Sequence, residues 1–257
     1  MVGRVWFIKI IRSNFTTPMK RKMKIVILLL LCANLYGHDE KDDFINWKRY
    51  FRLSAIQSEN NNYGAGTYFR IKRSTKYTFR DLRLFAHQIS EGNSYFKLRY
   101  KDSNKFIKLN KLYKFTVISF DRNEKIGLHI RSHGSQGVGF FLLNYKYGHI
   151  NTELSFSYDM MDHLNDTKKT SYMKIGAFWD NDLPLFETKL EIESIFQISD
   201  IVDDDLSRIE LLFEFYYPLM KNINIIAGVE MENYFHQLSG HSIFFSIGYK
   251  APLNWKY

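Results

Sequence analysis

The 257-residue chain has one cysteine, Cys32, and four prolines. A lone cysteine excludes a disulfide framework and a multi-cysteine metal site. Four prolines and fourteen glycines are too few for a low-complexity linker protein. No HExxH pair, no paired histidine spacing and no glycine-rich phosphate loop occurs, so neither a metal nor a nucleotide cofactor is expected. A mean hydropathy below zero excludes a bundle of membrane helices. Aromatic residues, by contrast, are abundant at 17%, within an otherwise ordinary 45% hydrophobic and 25% charged composition.

The formal charge of +9 suggests nucleic acid only until its position is considered. Residues 1–37 hold seven cations and no acid, leaving 29 basic against 27 acidic residues in the remainder. The basic excess therefore belongs to the leader, and nucleic acid is not an expected partner. That leader has the pattern of a secretory signal: Lys20, Arg21, Lys22 and Lys24 precede the apolar run Ile25 to Ala33, with cleavage expected near Gly37. The run is too short to cross a bilayer as a helix, which needs roughly 20 residues. Met19 or Met23 would each open a more usual signal peptide, placing residues 1–18 upstream of the start. Leu31 before Cys32 is not the small residue that lipidation requires. Residues 38–46 follow as a short N-terminal segment and 47–257 as the folded domain.

From residue 47 the pattern is alternation of period two. Ile150, Thr152, Leu154, Phe156, Tyr158 and Met160 share one face, with Asn151, Glu153, Ser155, Ser157 and Asp159 on the other. Such strands fit a soluble exported β protein with an apolar inside, or a membrane barrel with an apolar outside. Length decides for the barrel, since sandwich strands run about 5–6 residues and spanning strands about 9–11. Aromatic residues such as Tyr145, Trp179, Tyr217 and Tyr249 recur near segment ends, where interface girdles lie. The expected strands are 47–58, 64–73, 79–88, 94–100, 106–120, 137–147, 150–160, 170–179, 185–198, 206–217, 222–234 and 241–250. This predicts an all-β, transmembrane antiparallel up-and-down β-barrel of about 12 strands. Short turns alternate with longer polar loops, among them Asp121 to Gln136 and Met161 to Lys169. Residues 126–131 are read as a strand extension or loop, because a thirteenth strand would break that sorting. Alternating apolar residues from Ile243 to Tyr257 resemble a final strand of the type that outer-membrane assembly machinery recognises.

The run Phe120-Asp121-Arg122, then Arg131, then Gly137-Val138-Gly139-Phe140, resembles the core of the salt-induced outer-membrane protein family, bacterial barrels of undefined function. Ser58-Glu59-Asn60-Asn61-Asn62 stands where that family has a Gly-Asn pair. The resemblance implies an outer-membrane barrel over about residues 46–250.

An outer-membrane enzyme of the phospholipase type would need a positioned His, Ser and polar orienting group. His236, Ser239, His241 and Ser242 cluster near one rim without the required spacing, and the other histidines fall singly. The acidic groups Asp203-Asp204-Asp205 and Asp159, Asp162, Asp166 lack the glycine turn of a calcium loop and read as solvated external loops. No catalytic residue is assigned. If the apolar face meets lipid, Lys48, Arg52, Arg70, Lys72, Arg83, Lys97, Arg99, Lys108 and Lys114 make a basic inner wall in the first five strands. Glu187, Glu191, Glu193, Glu210, Glu214, Glu230 and Glu232 make an acidic wall in the last strands, with Lys189 and Arg208 as exceptions. Long charged side chains of both signs suit a narrow passive channel for small polar solutes or ions, or a salt-bridged structural barrel. The expected partners are outer-membrane lipid, the assembly machinery and small polar solutes. A cation at Phe213 or Ile192 is expected to hinder insertion, and Glu214→Gln to be tolerated.

Overall fold

The computed structural model describes residues 45–58, 62–89, 94–123, 128–163, 166–199, 205–235 and 240–253. The leader, Cys32, His236, Ser239, Asp203, Asp204 and the residues after 253 lie outside them, as do the side chains of Asp162 and Asp166. Every described element is a strand: β1 (Asn46–Ser58), β2 (Tyr63–Ser74), β3 (Thr78–Ile89), β4 (Ser94–Lys105), β5 (Leu112–Asn123), β6 (Leu128–Tyr145), β7 (Gly148–His163), β8 (Asp166–Asp182), β9 (Glu187–Gln197), β10 (Arg208–Met220), β11 (Ile223–Tyr234) and β12 (Gly240–Pro252). Each pairs antiparallel with its neighbours in sequence, and β1 pairs with β12 from Lys48↔Pro252 to Ser58↔Ser242, closing the ring. The start of β1 and the end of β12 thus lie side by side at the turn end, the end that carries the turns following β2, β4, β6, β8 and β10.

Period two decides which way each side chain points. Leu53, Phe156, Phe245 and Ile247 are 50–66% exposed on the outer surface. Arg52, Asp81, Glu153, Asp159 and Glu214 are buried inside. A soluble barrel would reverse this arrangement; an apolar exterior around a polar interior is that of a barrel set in lipid. At the turn end an aromatic girdle carries its own hydrogen bond, Trp179 Nε1 donating to Tyr145 Oη at 2.7 Å. Such rings place an apolar body in lipid and a polar tip at water.

Three boundaries differ markedly from the sequence reading. β6 begins at Leu128, not 137, and spans 18 residues, so strand occupies the expected loop from Asp121 to Gln136 except for residues 124–127, which lie outside the described residues. Beyond Ile130, its outer face there is Ser132, Gly134 and Gln136, a polar stretch that interrupts the apolar alternation. Pairing is supported instead from the inner face, where Arg131 meets Asp121 and Ser135 Oγ donates to Ser155 Oγ at 3.0 Å. Similarly, Met161 to Lys169 is mostly strand, ending β7 and beginning β8. The fifth strand starts at Leu112, not 106. Ile107 and Leu109 imitate strand alternation but sit in a turn closed by Phe106 N to Leu112 O at 3.0 Å and Leu112 N to Leu109 O at 2.8 Å.

Of the motif residues, Asp121, Arg131, Gly137 and Gly139 face the interior, while Phe120, Val138 and Phe140 are exposed on the outer face. Asp121 accepts from Arg131 Nη2 at 2.6 Å and from its Nε at 2.9 Å. Gly139 faces Tyr113 across the β5–β6 ladder, and a Cβ there would lie 2.1 Å from the ring. Gly228 does the same for Phe244, at 2.2 Å. These glycines let aromatic rings lie flat against the inner wall.

Candidate functional site

The interior is crossed by a chain of alternating charges. Asp81 on β3, 1% exposed, accepts from Arg70 Nε at 2.6 Å, Arg70 Nη2 at 3.1 Å and Arg83 Nε at 2.6 Å. Arg83 also donates to Glu191 Oε1 on β9 at 3.4 Å. Six steps round a twelve-strand ring separate β3 from β9, so this contact joins opposite walls. Glu191 next meets Lys189, which lies 3.9 Å from Glu214. Glu214 binds Arg52 on β1 and accepts from Tyr216 Oη at 2.7 Å. The chain Arg70–Asp81–Arg83–Glu191–Lys189–Glu214–Arg52 forms a belt across the lumen.

Other pairs thicken it. Lys101 on β4 binds Glu153 on β7, which also accepts from Tyr113 Oη at 2.7 Å. Lys250 reaches Glu187 at 2.6 Å, and Lys174 reaches Glu193 at 2.6 Å. Arg208 contacts Glu210 at 2.7 Å and Glu232 at 3.1 Å. Lys97 and Arg99 line a cavity of about 40 Å³ beside Arg131, His133, Glu193 and Glu210. A second cavity of about 20 Å³ lies between Arg52, Tyr68 and Tyr216. Both have the scale of water molecules.

Placed by strand parity, Lys48, Arg52, Arg70, Lys72, Arg83, Lys97 and Arg99 lie on the inner face of β1–β4. Glu187, Glu191, Glu193, Glu210, Glu214, Glu230 and Glu232 lie on the inner face of β9–β11. Lys114 has the outward parity of Ile118 and Phe120, and Lys108 sits in the turn before β5, so neither belongs to the wall. The walls are also less pure than the sequence suggested. Asp81 stands within the basic side, and Lys174 and Lys250 join Lys189 and Arg208 on the acidic side, so charges pair locally. Asp81 shares the parity of Arg83, and parity alone was enough to find it.

Inner aromatics were missed altogether. The Arg52 guanidinium lies 4.4 Å from the Tyr68 ring centroid and 4.8 Å from that of Phe244. Lys101 Nζ lies 4.8 Å from Phe115 and 5.2 Å from Phe178. Ring faces attract cations, so these aromatics support the belt.

The weighed catalytic group comes apart. His241 and Ser242 are consecutive on β12 and project to opposite sides of the wall. Asp159 is not in a solvated loop, being 1% exposed and bound to His133 inside the barrel. His87 stacks on Tyr95 at 4.7 Å, and His149 lies 3.5 Å from Asp180.

The sequence matches no protein-family model and no curated protein. Solved structures do resemble it. The NanC porin aligns over 78% of this chain and 100% of its own, with a TM-score of 0.53 and 8% identity. The KdgM porin covers 78% of this chain and 98% of its own, at 0.48 and 8%. The translocator domain of the autotransporter NalP from Neisseria meningitidis covers 90% and 95%, at 0.47 and 12%. At 8% identity the NanC likeness shows shared architecture alone, and the chain has the closed antiparallel β-barrel fold of that porin.

Proposed function

We propose that this barrel is exported by its leader to a bacterial outer membrane and serves there as a narrow passive channel for small polar solutes or ions, with the charged belt as its constriction. The observation that carries this reading is the Arg83–Glu191 contact between opposite walls: the passage is narrowed by charged side chains of both signs rather than by an apolar core. Charged groups lining water form a path for ions, and fixed dipoles and charges in it set preference. The apolar exterior supplies the membrane, and the NanC likeness supplies a porin architecture. No catalytic role is assigned. Kinship with the salt-induced family rests on the motif around Asp121 and Gly139.

A structural barrel is the second reading, favoured by the density of the ion pairs and the water-sized cavities. Planar bilayers separate the two. The wild type is expected to give a small conductance, and neutralising Glu191, Glu193, Glu210 and Glu214 together to shift its preference toward anions. Charges screen over about 8 Å at physiological salt, so the preference should fade as salt rises. A silent barrel whose melting temperature falls on the same substitutions would make the belt a structural plug.

A further inference from the structure

Among the described residues, the strand cations on the outer face at the turn end lie in one sector. Arg49 on β1, Arg73 on β2, Arg80 on β3 and Lys114 on β5 all have outward parity, with Asp102 on β4 as the acid among them. Arg73 and Arg80 are register partners, two like charges directly opposite on a lipid-facing surface. Such a pair is destabilising unless something neutralises it. Asp102 reaches Arg80 Nε at 3.2 Å, but Arg73 donates to Thr78 Oγ1 at 3.0 Å and lies over the Trp47 ring at 5.9 Å. No acidic residue occupies the outward face of β1 or β2. The side chain of Arg80 is 51% exposed.

A cation at this level has its stem against acyl chains and its head at the boundary with water. The group found there in a membrane is a lipid phosphate. We infer that the β1–β5 sector binds the headgroups of anionic phospholipids in the leaflet at the turn end, with Arg73 and Arg80 sharing a phosphate and Arg49 and Lys114 at its margins. Charge complementarity selects anionic over zwitterionic headgroups, and the aromatic ring of Trp47 fixes the depth. The inference does not depend on whether the lumen conducts.

The test is native mass spectrometry of the full-length, folded, delipidated barrel with phosphatidylglycerol or phosphatidylcholine added at equal concentration. Phosphatidylglycerol is expected to be retained at least about tenfold better. Each juxtamembrane cation contributes roughly a fivefold factor, so Arg80→Gln alone should lower retention about fivefold, and Arg49→Gln/Arg73→Gln/Arg80→Gln should abolish the difference between the lipids. Lys146→Gln/Lys221→Gln, in turns outside this sector, should leave it intact. Equal retention of both lipids by the wild type, unchanged retention by Arg80→Gln, or displacement by millimolar inorganic phosphate, which would indicate a general anion site, would each overturn the proposal.

Discussion

Phe213→Arg is expected to leave most of the protein unfolded or uninserted, while the wild type shows heat-modifiable migration and fractionates with outer membranes. Phe213 projects outward on β10, opposite Leu190 of β9, within the apolar band. A cation on the lipid face near the midplane costs roughly 2–4 kcal/mol. Ile192→Arg, on the same face of β9, should behave alike. Folding yields in vesicles measure this directly. A barrel that instead tolerated both arginines and remained in the soluble periplasmic fraction would have its faces reversed. The structure also changes one expectation. Glu214 binds Arg52 and accepts from Tyr216, so Glu214→Gln should destabilise the folded barrel rather than pass unnoticed.

Asp81→Asn should be the most damaging isosteric change in the interior. Arg70 and Arg83 are register partners across β2–β3, and Asp81 is the carboxylate that both of them bind. The amide keeps the shape but removes the charge, leaving two guanidiniums side by side in a largely dehydrated wall. Removing one partner of a buried ion pair costs about 3–5 kcal/mol. Urea titration of the folded barrel should show a loss of that order. The exposed Arg80–Asp102 pair provides the comparison, since surface pairs contribute about 0–1 kcal/mol and Asp102→Asn should therefore shift the transition little. Equal effects from the two substitutions would mean that the Asp81 site is as well solvated as the exposed Arg80–Asp102 pair.

The architecture was legible because a barrel in lipid must expose one apolar face of every strand, and Leu154, Phe156 and Tyr158 against Glu153, Ser155 and Ser157 display it directly. Where the outer face leaves that rule, the reading failed. Ser132, Gly134 and Gln136 concealed the first half of β6, and the turn residues Ile107 and Leu109 imitated a strand. Parity also placed the two rows of wall residues but not their partners. The belt depends on which rungs meet across the ring, and that follows from strand stagger and closure, which alternation does not encode. Asp81 was overlooked because its sign differs from its neighbours, although that difference is what holds Arg70 and Arg83 together. Tyr68, Phe115 and Phe244 were assigned no inner role because aromatics were sought at the girdles.

Single-channel conductance of the wild type beside Arg83→Ala/Glu191→Ala tests the constriction most directly. These substitutions remove the contact that joins β3 to β9 and leave the outer face untouched. A small wild-type conductance that rises several-fold in the double variant is the predicted result. Silence from both barrels, each folded by heat-modifiable migration, would contradict a channel constricted by this belt.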